Sequence, residues 1–221
     1  MAEQLWKETD RFLESTFGPP SPDLIRAADS VRSEKLPPIS INDVQGRQIA
    51  LLASLIGARR ALEVGTLAGY STLCLAAAVG DGGHVVTLEN NPIHAGVART
   101  NFESAQHGHR VDLRLGNAID LLHELRTSTT EPFDFFFIDA DQHNNVRYLE
   151  ACHALGRPGS VIVVDNVIRG GAVADSATTN PAVRATQAML EIVAQNDGLD
   201  GAVFQTVGSR GHDGMLVARI L

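Results

Sequence analysis

Apolar and polar positions follow two different rhythms along this chain, and the change comes near residue 60. Before it the spacing is helical. Residues 3–17 carry Leu5, Trp6, Phe12, Leu13 and Phe17 among charges, which predicts an amphipathic helix. The run Gly18-Pro19-Pro20-Ser21-Pro22 breaks it, since proline has no amide hydrogen to give a helix. A second helix is expected over 23–33. The prolines of KLPPISI, residues 35–41, make a loop, after which Asn42 or Asp43 caps a third helix that runs to Ile56 and ends at Gly57. Past residue 60, short apolar runs alternate with helical patterns. Strands are predicted at 60–64, 84–89, 111–115, 133–139, 160–165, 201–206 and 215–220. Helices are predicted at 70–79, 92–106, 118–125, 144–155 and 181–195.

That alternation predicts the α/β class: a mostly parallel, doubly wound sheet with helices on both faces and right-handed crossovers. Only VGSRGHDG, residues 207–214, separates the last two strand runs, so an antiparallel hairpin should close the chain. No internal repeat or linker interrupts the pattern. The expected organisation is one domain over 1–221, with N-terminal helices to residue 57 and a Rossmann-like core from 58. The N-terminal helices must pack on that core, on a partner subunit or over the site.

Composition narrows the function classes. The 221 residues carry a formal net charge of −8, which argues against a nucleic-acid partner. No apolar run approaches the roughly 20 residues of a membrane span, and the first ten residues are polar and charged, unlike a signal peptide. Cys74 and Cys152 lie within apolar helical patterns and read as small core residues rather than a disulfide or a zinc site. A soluble, cytoplasmic protein is the expectation.

The chemistry concentrates where strands end. RALEVGTLAGYSTLCLAAA, residues 60–78, reads as strand, glycine turn, helix. Gly65 and Gly69 let backbone approach a ligand closely, and the helix behind them presents its N-terminal amides. The dinucleotide fingerprint G-x-G-x-x-G is absent, and Glu63 at the strand end is unwelcome to a phosphate. A cationic, phosphate-free cofactor fits better, and S-adenosyl-L-methionine is one. Glu89 ends the second strand 24 positions after Gly65, near the ~20-residue offset at which a carboxylate meets ribose hydroxyls. Gly116-Asn117-Ala118 follows the third strand and offers a small-residue turn for an adenine edge. FDFFFIDADQHNN and SVIVVDNVIRGG end neighbouring strands in Asp139 and in Asp165-Asn166. Three hard oxygen donors, with no cysteine or paired histidine, describe a magnesium- or calcium-like site. The small-residue stretch 167–180 is a candidate pocket wall, where Arg169 would meet an acidic substrate.

Together these stretches resemble the cation-dependent O-methyltransferases, the family of catechol and caffeoyl-CoA O-methyltransferases. The likeness runs from about residue 35 to the C-terminus. It is carried by ALEVGTLAGYSTLCLA, VVTLENNP, FDFFFIDADQHNN, GSVIVVDNVIRGGAV and GHDGMLVARI. It implies a class I S-adenosylmethionine-dependent methyltransferase fold with a reversed final strand, and a homodimer. It implies S-adenosyl-L-methionine and a divalent cation, foremost Mg2+, as cofactors, and a small phenolic, catechol-like acceptor. Residue by residue, it sets Ile41 against the methionine part of the cofactor and Glu63 and Ser71 on its amino and carboxylate groups. Gly65 and Thr66 line the turn, Glu89 holds the ribose, and Asn117 and Ala118 flank the adenine. Asp139, Asp165 and Asn166 match the metal ligands, with Asp139 also near the cofactor. The cation would then lower the pKa of a chelated hydroxyl, whose oxyanion attacks the methyl group.

This chain departs from the family at one functional position. Gln142 stands where a lysine is usual and cannot act as a base. His143 beside it is the expected substitute, since its unperturbed pKa suits neutral pH. Asn145 replaces a usual tyrosine. The competing readings are a methyltransferase of hydroxylated uridine in tRNA, a Rossmann-type oxidoreductase, and a non-catalytic binding protein of the same fold.

Overall fold

The computed structural model describes residues 2–128 and 131–221. Three helices, α1 (Ala2–Phe17), α2 (Pro22–Ser33) and α3 (Asp43–Leu55), precede the alternating part. That part runs β1 (Arg60–Val64), α4 (Tyr70–Ala78), β2 (His84–Glu89), α5 (Pro92–Glu103), β3 (Val111–Leu115) and α6 (Ala118–Ser128). It continues with β4 (Phe135–Ile138), α7 (Asn145–Leu155), β5 (Val161–Val164), α8 (Pro181–Gln195), β6 (Leu199–Gly208) and β7 (Gly211–Ile220). Several helices start on signals legible in the chain. Ser21, Asn91 and Asn180 each accept from amides of the following turn, and each precedes a proline that opens the helix. Asn42 and Gln45 cap α3 reciprocally.

The strands form one sheet in the order β3-β2-β1-β4-β5-β7-β6. The first five pair in parallel, and β7 runs antiparallel to both of its neighbours, β5 and β6. The α/β expectation with a reversed last strand therefore holds. Both faces of β4 are covered, which is why its sequence is a continuous apolar run. Phe133, Phe136 and Ile138 join the cluster under α6, α7 and α8. Phe135 and Phe137 join the cluster on the opposite face, with Leu75 of α4 and Ile49 of α3. Each of these fully buried phenylalanines contributes about 1.5–3 kcal/mol.

Some boundaries differ from the sequence expectation. Residues 207–214 are ladder rather than loop: Val207 pairs with His212 and Gly208 with Gly211, leaving Ser209-Arg210 as a two-residue turn. This half of the hairpin projects at the sheet edge with little apolar burial, so it carries no hydrophobic alternation to read. Helix α5 stops at Glu103, short of 106, and α6 runs past 125 to Ser128. Strand β4 is shorter than 133–139, although the ladder continues in the Asp139 amide, which donates to the Val64 carbonyl at 2.9 Å.

Helix α1 packs on β6 and α3. Buried Asp10 ties it there, accepting from the Ser209 amide at 2.6 Å and from Asn42 Nδ2 at 3.1 Å. Its apolar side chains Leu5, Phe12 and Phe17 remain exposed.

Candidate active site

In an open parallel sheet, the carboxyl ends of neighbouring strands share one edge, and that edge is where ligands bind. Val64 pairs with Ile138, and Ile138 with Val164. The residues that follow, Gly65, Asp139 and Asp165, therefore come to the same edge. A cavity of about 420 Å³ opens beside them. Gly65 holds φ at 99°, and a Cβ there would stand 2.1 Å from the Asp139 carbonyl oxygen, so the turn after β1 admits only glycine. Gly69, also left-handed, precedes α4 with no side-chain cap, which leaves the first amides of that helix to a ligand.

Glu63 lies fully buried beneath this turn rather than on the cavity wall. Thr72 Oγ1 and Thr87 Oγ1 both donate to its Oε2, Thr87 at 2.6 Å. Because the single hydroxyl proton of Thr87 is used there, Thr66 must donate across the 2.6 Å contact to Thr87. Glu63 Oε1 has no hydrogen-bond partner among the described residues. Burial pushes the Glu63 carboxyl up to about 7, with the hydroxyls of Ser71, Thr72 and Thr87 pulling the other way.

Glu89 does line the cavity, and four backbone amides hold it. Thr66 and Leu67 donate to Oε2 at 3.2 and 2.9 Å, and Asn90 and Asn91 to Oε1 at 3.0 and 2.9 Å. One carboxylate thus joins the turns after β1 and β2 and fixes both around the cavity. Ile41, Thr66, Ser71 and Ala118 line it as expected from the sequence. Asn117 does not: it is exposed, and its Oδ1 accepts from the Ile119 amide at 2.9 Å, capping α6. In the small-residue turn expected to frame an adenine edge, the Asn117 side chain is used by the helix instead.

Asp139 and Asp165 stand side by side at the strand ends. The pKa of each is raised, first by burial; repulsion from Asp139 adds to the rise at Asp165. Neither carboxylate forms an ion pair among the described residues. Asp165 Oδ1 accepts the Asn166 amide at 2.8 Å, and Asn166 adopts φ 60°. Asn166 borders three cavities: the first, a second of about 170 Å³ shared with Asp165, and a third of about 480 Å³. Among the described residues, no three His, Cys, Asp or Glu side chains gather at metal-binding spacing. The candidate donor set is therefore two carboxylates and one amide oxygen, which suits a hard divalent cation and no soft one.

His143 is the expectation the structure does not support. It is exposed on the short 3-10 turn Gln142–Asn144 and lines none of the three cavities, whereas Gln142 lines the first and the third. Adjacent residues on a tight turn point apart, so a neighbour in sequence does not inherit the position of the residue it would replace.

Several contributors had no assigned role in the sequence reading. Tyr148 lines the first cavity and donates to Asp141 Oδ1 at 2.6 Å, seven residues upstream, which orients that turn. His94 faces Glu89 Oε1 at 3.6 Å. Asp213 Oδ1 accepts from the amides of Ile168, Arg169 and Gly214 at 3.0, 3.0 and 2.9 Å, and so shapes the segment after Asn166. The strap Ile39–Ser40–Ile41 borders the first two cavities and is held by Arg210, which donates to the Pro38 carbonyl at 2.6 Å. GHDGM was visible as a motif, and Tyr148 falls at helical spacing beyond Asp141, but no local rule gave either a task.

Comparison with known proteins adds to this geometry. A sequence model described as O-methyltransferase matches residues 23–220. The chain is 44% identical over 213 residues to a catechol O-methyltransferase of Mycobacterium tuberculosis, covering 96% of this chain and 95% of that one. The crystal structure of an O-methyltransferase from Bacillus cereus in complex with SAH superposes with a TM-score of 0.96 at 39% identity, over 99% of this chain and 100% of that one. The O-methyltransferase TomG of Streptomyces achromogenes, in complex with SAM, superposes with a TM-score of 0.96 at 35% identity, over 100% and 99% of the two chains.

Proposed function

The chain belongs to the O-methyltransferase family and is an S-adenosylmethionine-dependent O-methyltransferase, and on that premise we propose that it methylates a hydroxyl of a small catechol-like molecule with the help of a divalent cation. The observation that carries this reading is the pair Asp139 and Asp165: two buried acids at matched strand ends beside the cavity, with no ion pair among the described residues and an opposing influence from Arg210 that is weaker than the burial. Two carboxylates in that setting repel each other and lack solvation, and a dication between them relieves both costs. Asn166 supplies the third oxygen. The name of the mycobacterial relative, catechol O-methyltransferase, agrees with an acceptor that has neighbouring oxygens.

The chain's residues then have distinct tasks. Ile41, Gly65, Thr66, Ser71 and Glu89 hold the cofactor in the first cavity, with Glu63 beneath it, Ala118 at one wall and Asp139 at the other. The buried Glu63 acid beneath the turn suits a cofactor that carries an ammonium group above it, and the capless N-terminus of α4 fits its carboxylate. The cofactor brings the transferable methyl group. A bound Mg2+ would supply Lewis acidity, lowering the pKa of a hydroxyl that it shares with a neighbouring oxygen. The strap over Ile41 keeps water from the reacting atoms. Gln142 faces this region and cannot take the acceptor proton.

Transfer of labelled methyl from S-adenosylmethionine to catechol tests the proposal. Turnover should vanish on adding a chelator and return with Mg2+. Turnover indifferent to the chelator overturns the cation, and no transfer to any vicinal diol overturns the acceptor class.

A second copy of the chain is part of the proposal. Leu5, Phe12 and Phe17 on α1, with Phe204 and Val207 on the edge strand β6, leave apolar side chains exposed that a homodimer would cover. Light scattering should give twice the mass of one chain. No helix among the described residues is long and apolar enough to cross a membrane, and both cysteines are free and buried, which fits a cytoplasmic enzyme.

A further inference from the structure

We infer that Arg169 reads an acidic group on the acceptor, so that the preferred substrates are catechols bearing a carboxylate. The inference rests on the acceptor reading above and makes it narrower.

Arg169 lies three residues beyond Asn166 and lines the cavity of about 480 Å³, together with Gln142 and Asn166. Those two residues also line the cofactor cavity, so the third cavity continues outward from the candidate ligands toward Arg169. Its lining also includes Ala172 and Val183, apolar side chains of the kind an aromatic ring meets. The guanidinium of Arg169 makes no hydrogen bond or ion pair among the described residues. An acid that lines the same cavity, Asp213, has Oδ1 committed to three backbone amides. The other arginine near the candidate ligands, Arg210, is engaged with the Pro38 carbonyl.

The backbone supports the same assignment. Arg169 holds φ at 55°, and Gly170 and Gly171 follow at 66° and 91°. A left-handed conformation is strained for a residue with a Cβ, and asparagine or glycine would bear it more easily. Asp213 pins the Arg169 amide and holds the residue there nonetheless. The charge balance agrees. A dication between Asp139 and Asp165 would cancel their charge, and Asp213 on the cavity wall adds a negative one, so a carboxylate in the acceptor needs a cation beside it. Arg169 is positioned as one, and its planar fork matches a carboxylate.

The experiment compares methyl transfer to catechol, 3,4-dihydroxybenzoate and dopamine in the wild type, Arg169→Gln and Arg169→Lys. The wild type should favour the carboxylate over the neutral diol and the neutral diol over the amine. In Arg169→Gln the ratio of kcat/KM for 3,4-dihydroxybenzoate over catechol should fall by about tenfold, and Arg169→Lys should keep part of it. Calorimetry of 3,4-dihydroxybenzoate binding to the SAH-loaded protein should show the same loss of affinity in Arg169→Gln without any turnover. An unmoved ratio and affinity in Arg169→Gln overturn the inference alone. A wild type that methylates none of the three diols overturns the acceptor reading, and the inference with it.

Discussion

Replacing Glu63 with glutamine isolates the cost of burying a carboxylate under the cofactor turn. The side chain is fully buried, its Oε2 accepts from two threonine hydroxyls, and its Oε1 lacks a partner. Burial raises its pKa from 4.5 to about 7. A carboxyl with a raised folded-state value gives stability that is complete below its unfolded value and is lost as pH climbs through the folded one. At about 1.4 kcal/mol per pH unit, the loss between 4.5 and about 7 is on the order of 3 kcal/mol. Glutamine keeps an oxygen for both threonines and does not titrate. Its unpaired N–H adds a cost of about 1–3 kcal/mol that is independent of pH, so slopes must be compared, not single values. The assay is thermal unfolding of the ligand-free protein from about pH 4.5 to 8.5. For a chain of this size, about 2–4 °C accompanies each kcal/mol, so the wild-type Tm should fall by roughly 6–12 °C more than that of the variant. Asp139 titrates in both proteins, but the variant lacks the repulsion from Glu63 that helps to raise it, so the difference between the curves contains that relief as well as the burial of Glu63 itself. Parallel curves would refute the assignment of the burial cost to Glu63.

The other predictions follow from the same edge of the sheet. Gly65→Ala sets a methyl group 2.1 Å from a backbone oxygen, so it should destabilise the protein by about 2–4 kcal/mol in urea unfolding and abolish SAH binding in calorimetry. Asp165→Asn removes one of two facing acids whose pKa values are raised. It should raise the Tm of the ligand-free protein at alkaline pH while cutting metal-dependent methyl transfer by about 100-fold; a lowered Tm would contradict the repulsion. His143→Ala should keep the pH–rate profile and change the rate by less than about twofold, and a lost alkaline or acid limb would reinstate it as the base. Asp10→Ala strips the Ser209 amide of its acceptor and should cost about 1–3 kcal/mol, with weaker SAH binding as the strap loosens.

Much of this protein is legible in one dimension because the signals are local. Short apolar runs mark β1 to β5, Asn-Pro and Ser-Pro pairs mark helix starts, and a parallel α/β order sends chemistry to the strand ends. From those rules Asp139 and Asp165 fall at one edge, Glu89 falls at the second strand end, and Gly65 falls in a turn that backbone and ligand approach closely. The sheet bears out their positions because register in a buried parallel sheet leaves little freedom: a slip by one residue would exchange the two packed faces of β4 and misfit the phenylalanines in both core clusters.

What only the tertiary structure decided involves contacts remote in sequence. Asn117 could frame a ligand or cap a helix, and the geometry of α6 chose the cap. His143 and Gln142 are adjacent, yet only Gln142 faces the cavities, because one short turn sets their directions. Asp10, 199 residues from Ser209, joins the first helix to the last hairpin, and Asp213 shapes a loop 44 and 45 residues upstream. Local propensity is additive along the chain and can be read there. The direction of a polar side chain is a competition among distant partners, and that is settled only when the chain has closed on itself.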